Sequence, residues 1–240
     1  MKDTVSIFWF RRDLRLADNV VSYQALNSGY PVIPIFIFDT EIVGHLPKKD
    51  ARVSFIHDRL QQLHQKLATD YGGGIAQFQG VPKTVFQQLT QEFDVKAVYT
   101  NHDYEPYALK RDDEVKELLS DLTIDFRTFK DQVIFEKSEV VKDDGNPYVV
   151  YTPYMKKWKE NFNSPIHLVN YDTLPLLPEK VYKSKSFPKL TLESIGFGTS
   201  EIKVPDYNVS TDLIRKYAET RDYPAVENGT SHLGPHLRFS

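Results

Sequence analysis

Apolar residues along this chain fall into short solid runs that alternate with longer periodic stretches. Residues 5–10 are almost wholly apolar and β-rich, which suits a strand covered on both faces better than one with a wet side. Residues 32–38 repeat the pattern and end at Asp39-Thr40, and shorter runs at 75–79, 96–100 and 124–129 predict three further strands. Between them the period lengthens. Asp18 or Asn19 caps a helix that carries Val20, Val21, Tyr23, Ala25 and Leu26. Residues 51–71 form the longest helix, with Phe55, Ile56, Leu60, Leu63 and Leu67 as its apolar stripe and Gly72-Gly73-Gly74 as its stop. Pro82 opens a helix through Val85, Phe86 and Leu89, and Pro106 opens a charged one through Leu118 and Leu119. Strand and helix alternating in this order predict an α/β class: a doubly wound, five-stranded parallel sheet with right-handed crossovers.

Beyond Phe129 the pattern loosens. Residues 133–135 and 148–151 read as short strands of a hairpin around Asp143-Asp144-Gly145-Asn146, and 152–162 as a helix. Residues 163–206 hold Pro165, Pro175, Pro178, Pro188 and Pro205 with little periodicity, as a connector laid over a surface would. A helix restarts at Ser210 with Leu213, Ile214 and Tyr217. The division expected is 1–135 for the α/β domain, 136–206 for hairpin, helix and connector, and 207–240 for the opening of another domain.

Composition narrows the function classes. A formal charge of −3 carries no polyanion signal, so any nucleic-acid role must rest on a local patch. The chain has no cysteine, which removes disulfides, Cys-based zinc sites and thiol nucleophiles. No apolar run reaches membrane-spanning length and no signal-peptide core is present, so a cytoplasmic protein without a membrane is expected. Neither G-x-G-x-x-G after a strand nor a Walker loop occurs, so dinucleotide-fingerprint and phosphoryl-transfer enzymes lack support. His232 and His236 have helical spacing, but Pro235 intervenes and no third ligand is near, so no metal site is expected.

Three stretches carry candidate chemistry. The first strand breaks into Arg11, Arg12, Asp13 and Arg15 at its carboxyl end, where open α/β sheets bind ligands; the plain alternative is a solvated loop of paired charges. After the fourth strand, Asn101-His102-Asp103-Tyr104-Glu105-Pro106 puts Glu105 just before a helix-opening proline, a position that favours a carboxylate against the helix dipole whatever else it does. Near the end, Thr230-Ser231-His232-Leu233-Gly234 offers two hydroxyls and small-residue amides, either a simple turn or a cradle for a pyrophosphate. Lys156, Lys157 and Lys159 beside Trp158 read as a solvated helix face.

Trp9-Phe10-Arg11-Arg12-Asp13-Leu14-Arg15-Leu16, followed by Asp18-Asn19, resembles the N-terminal signature of the photolyase/cryptochrome family, and 216–237 resembles the entry into that family's flavin-binding domain. The resemblance implies a Rossmann-like antenna domain, a connector and the first helix of an all-α FAD domain, cut short at the start of the helical half. It implies light-driven splitting of cyclobutane pyrimidine dimers in UV-damaged DNA by electron transfer from FAD. An antenna chromophore, 5,10-methenyltetrahydrofolate or a deazaflavin, gathers the light. By the same resemblance Glu105 holds the antenna, Tyr217, Thr230, Ser231, His232, Leu233 and Gly234 begin the FAD site, and Arg221 contacts DNA phosphate. No catalytic residue and no metal ligand is expected within the chain, which is expected to be monomeric and inactive in repair by itself. A cryptochrome photoreceptor and a stand-alone pterin- or nucleotide-binding module are the alternatives.

Overall fold

The structure, a computed structural model, describes residues 1–184 and 186–239. Five strands, β1 (Thr4–Phe10), β2 (Val32–Asp39), β3 (Ala76–Gly80), β4 (Asp94–Asn101) and β5 (Asp125–Phe129), form one sheet in the order β3-β2-β1-β4-β5. That is the doubly wound, Rossmann-like order, and it explains the burial read along the chain. The interior strand β2 is buried at every position, whereas β5 at the edge has only half-buried and exposed residues. The helices are α1 (Val20–Leu26), α2 (Thr40–Val43), α3 (Ala51–Tyr71), α4 (Pro82–Glu92), α5 (Pro106–Asp121), α6 (Tyr151–Asn161), α7 (Ser164–His167), α8 (Leu177–Lys180), α9 (Thr211–Thr220) and α10 (Gly234–Phe239).

Two compact units share the chain. One comprises Met1–Trp9, Leu16–Pro34 and Pro82–Tyr182. In it β1 and β4 pair in parallel with Trp9 opposite Thr100, and β4 pairs with β5. Helix α1 packs against β4 and β5, while α4 and α5 pack on each other and on the same two strands. Asn19, not Asp18, caps α1: it is fully buried and its side chain accepts from the Ser22 amide at 3.1 Å. The short strands expected at 133–135 and 148–151 do not form; residues 137–139 make a single 3₁₀ turn instead. The Phe135 ring joins a satellite aromatic cluster, edge-on to Trp158 at 5.4 Å and to His167 at 4.8 Å, so its apolar surface is covered without strand pairing. Helix α6 starts one residue earlier than expected, after Val150, with no side-chain cap.

The other unit comprises Phe10–Arg15, Ile35–Val81 and Lys183–Ser240. Here β2 and β3 pair in parallel and α3 ends, as expected, on Gly72 in the left-handed conformation at φ 71°. The buried stripe of α3 is Val53, Leu60, Leu63, His64 and Leu67, while Phe55 and Ile56 lie at its margin, half-buried. Phe55 is turned to the C-terminal segment, 5.6 Å from the His236 ring and 6.0 Å from Phe239. The connector is tied down by backbone: the Gln77 amide donates to Pro188 O and the Gly198 amide to Lys48 O, at 2.9 and 2.8 Å.

Candidate functional site

In an open α/β sheet the ligand crevice lies where the strand order reverses, here at the carboxyl ends of β1 and β4. Thr100 fixes these two ends, donating from Oγ1 to Trp9 O at 3.1 Å. Strand β4 then runs into a four-residue loop, His102 to Glu105, whose side chains alternate in their commitments. Asp103, 6% exposed, turns its Oδ1 back onto the amides of Tyr104 and Glu105, at 2.8 and 3.4 Å. Asp103 thereby does the work of shaping the entry into α5. Glu105 occupies the N-cap with extended backbone, φ −72° and ψ 143°, but makes no side-chain capping bond, and Pro106 follows as the first helical residue. Its carboxylate is exposed, so the capping use that the sequence allowed is not taken.

Behind the loop the ring of Trp9, 2% exposed, meets Phe86 edge-on at 5.1 Å and lies 5.0 Å from the guanidinium of Arg111. Arg111, 7% exposed, also lies 5.9 Å from the Tyr107 ring and pairs through Nε with Asp112 at 3.1 Å. A cation so placed is held by ring quadrupoles and carboxylate pairing. The one local signal for Arg111 is its spacing from Tyr107, four residues apart on one helical face. His102 and Tyr104 turn to Glu136, a residue that sequence reading missed because it lies 32 positions beyond Tyr104. The loop borders a cavity of about 220 Å³ that Leu109, Phe126 and Thr128 also line. Burial and the Glu136 hydrogen bond together raise the Tyr104 phenol well above its usual range, so it stays a donor.

The arginine stretch after β1 is not a solvated loop. Asp13, 3% exposed, accepts the Arg11 amide at Oδ1 at 2.8 Å, and Arg11 is itself 8% exposed. The Arg59 side chain donates to Leu14 O at 3.0 Å, closing the turn from α3. This is an ordered turn, which the Arg15 amide tightens by donating to Asp13 O at 2.7 Å.

At the C-terminal end, Ser210 caps α9, its Oγ accepting from the Leu213 amide at 3.4 Å. Tyr217 and Ile214 project from α9 with 44% and 63% exposure. Arg221 sits at the C-cap of α9 with Nε 3.7 Å from Asp222, a contact between side chains that are mostly exposed, which contributes little. The Thr220 hydroxyl donates to Gly229 O at 2.7 Å, and Ser231 O accepts the Asn208 amide at 2.9 Å. Thr230 and Ser231 are half-buried, Leu233 likewise, and His232 takes left-handed backbone at φ 55°. Helix α10 begins at Gly234, where an added Cβ would meet nothing within 4 Å. Hydroxyls such as those of Thr230 and Ser231 can donate to a phosphate oxygen. His236 is occupied otherwise, its Nε2 2.9 Å from Pro205 O.

The fold and the crevice at the β1–β4 switch point define a Rossmann-like α/β domain. The sequence profile of DNA photolyase matches residues 6–175, and the chain belongs to that family. It is 30% identical over 98% of its length to a deoxyribodipyrimidine photo-lyase of Halobacterium salinarum, of which it covers 52%. A deoxyribodipyrimidine photo-lyase of Synechococcus is 31% identical over 97% of the chain, with 50% of that protein covered. Among solved structures, the bacterial class III photolyase of Agrobacterium tumefaciens superposes with a TM-score of 0.76 at 28% identity, covering 99% of this chain and 50% of the other. The chain thus spans about half the length of these two photo-lyases. Among the described residues no helix is long and apolar enough to cross a membrane.

Proposed function

We propose that this chain provides the light-collecting half of a deoxyribodipyrimidine photolyase, a cytoplasmic, monomeric flavoprotein that repairs UV-damaged DNA. Membership of the family and the names of its relatives support the enzyme class. The observation that carries the assignment of this half is Glu105: an exposed carboxylate at the N-cap of α5, just beyond the carboxyl end of β4, on a loop whose Tyr104 and Glu105 amides are held by Asp103. A carboxylate acceptor suits the ring N–H and amino donors of a reduced pterin, or the ring N–H of a deazaflavin. Glu105 would orient that chromophore, with Asp103 holding the loop. In the second unit Tyr217 and the stretch from Thr230 through Ser231, His232 and Leu233 to Gly234 would begin the FAD site, and the exposed Arg221 would take a DNA phosphate. A flavin bound there would supply the photochemical electron donation that opens the dimer. The protein's own residues bind, orient and exclude.

The test is chromophore binding by the 240-residue chain. 5,10-Methenyltetrahydrofolate, or a deazaflavin, is expected to bind with its absorption band shifted. Glu105→Gln is expected to weaken binding about tenfold or more, as loss of a hydrogen bond to a charged acceptor does. Failure of both probes to bind would sink the assignment. Dimer repair under blue light by this chain alone would equally refute its reading as the light-collecting half.

A further inference from the structure

The loop that presents Glu105 is gripped from one side by a polar cluster. His102 Nδ1 lies 2.6 Å from Glu136 Oε1 and His102 Nε2 lies 3.0 Å from Thr128 Oγ1. The Tyr104 hydroxyl donates to the same oxygen of Glu136. Two loop residues spaced by two thus converge on one carboxylate, whose side chain is only 16% exposed. Glu136 is itself held: its amide donates to the Glu139 carboxylate, completing a capping box, and both Glu139 oxygens accept from Lys130 Nζ at 2.9 Å. The backbone repeats the grip, with the His102 amide donating to Phe129 O at 2.7 Å and Gln132 Nε2 donating to His102 O at 2.9 Å.

Lys137, immediately after Glu136, takes left-handed backbone at φ 37°. That conformation is unfavourable for a non-glycine residue and persists where surrounding bonds over-determine it. A segment that merely covered the sheet edge would gain nothing from it. Here it lies in the turn that brings the Glu139 carboxylate back onto the Glu136 amide.

We propose that His102, Tyr104 and Glu136 are positioning residues that set the height and direction of Glu105 for the antenna chromophore. This rests on the reading of Glu105 given above. The loop is too short to adjust independently: with His102 and Tyr104 anchored to one carboxylate and Asp103 folded onto the Tyr104 and Glu105 amides, the backbone of Glu105 is held in place. Preorganisation of this kind raises affinity by removing the ordering cost at the moment of binding.

The experiment compares wild type with Glu136→Ala, Glu136→Gln, Tyr104→Phe and Glu105→Gln. Two measurements are made on each: hydrogen exchange of the amides of residues 102–105 without ligand, and the dissociation constant for 5,10-methenyltetrahydrofolate. Glu136→Ala is expected to speed exchange of the loop and to weaken binding, each about tenfold or more, with the unfolding midpoint of the sheet unmoved. Glu136→Gln keeps one acceptor oxygen for Tyr104 and is expected to recover most of the affinity. Tyr104→Phe and Glu136→Ala combined should cost less than the sum of their separate effects, because they remove the same bond. Wild-type exchange in Glu136→Ala would overturn the clamp. So would faster exchange with unchanged affinity while Glu105→Gln weakens binding. If Glu105→Gln binds as wild type does, the chromophore reading itself fails and the clamp loses its purpose, although its exchange signature persists.

Discussion

Gly74 lies where a helix and a connector approach too closely for any side chain. A Cβ at residue 74 would come within 2.8 Å of His64 Cε1, 3.0 Å of Phe187 Cδ2 and 3.1 Å of His64 Nδ1. The His64 ring cannot yield cheaply. It is 8% exposed, and its Nδ1 lies 3.1 Å from both the amide nitrogen and the carbonyl oxygen of Ile75, a fully buried residue. Gly74→Ala therefore imposes an overpacking cost of about 1–3 kcal/mol. Displacing the His64 ring loses the Ile75 contact as well, worth about 1 kcal/mol. Restricting the unfolded chain returns only about 0.4–1 kcal/mol. The net is a loss of about 1–3.6 kcal/mol, which for a chain of this size lowers the melting temperature by roughly 2–14 °C. Urea unfolding of the two proteins, followed by circular dichroism, measures it. A Gly74→Ala protein as stable as wild type would show that the α3–connector packing is looser than the structure has it, and the reasoning would fail.

Three further outcomes follow from single residues. His64 has its pKa lowered, first by burial and then by Lys189, against the opposing Ile75 carbonyl; the unfolded chain therefore binds the proton more readily, and stability is expected to fall as pH drops below about 6.5, a slope that His64→Gln should flatten. Ser6 is wholly buried and its hydroxyl has no hydrogen-bond partner among the described residues, so Ser6→Ala is expected to hold or raise stability by up to about 1 kcal/mol in urea titration; a loss above that would reveal a partner. Asn19→Ala removes the cap of α1 and strands the Ser22 amide, for an expected loss of about 1–2 kcal/mol, with Asn19→Asp recovering most of it; an unchanged midpoint would contradict the cap.

What the sequence made legible was whatever local chemistry alone decides. The five strands, the 21-residue α3 with its glycine stop and the two proline-opened helices stand within two residues of their expected places. Burial on both faces makes β1 and β2 solid apolar runs, and no tertiary contact had to be known to see them. The failures share a different cause. Residues 133–135 look like a strand, but the structure satisfies Phe135 with aromatic rings from α6 and from His167, partners that no local pattern announces. The margin position of Phe55 depends on His236 and Phe239, which lie far along the chain. In the candidate site, Glu105 was visible because proline marks the helix start. Asp103 as the true shaper of that start, and Glu136 as its neighbour's anchor, were not, because a carboxylate's partner is chosen in space.

The chain has two tryptophans, and the fold gives them unlike surroundings. Trp9 is sealed against Phe86 and Arg111, while Trp158 is only half-buried and stacks on Phe162 at 5.0 Å. A guanidinium over an indole shifts its excited-state dipole energy, so the two emit from distinguishable environments. Fluorescence from this protein would therefore carry two clocks, one running on the sheet and one on the loosely held α6. Their separation under mild heat or denaturant would time the release of the aromatic cluster before the sheet itself opens.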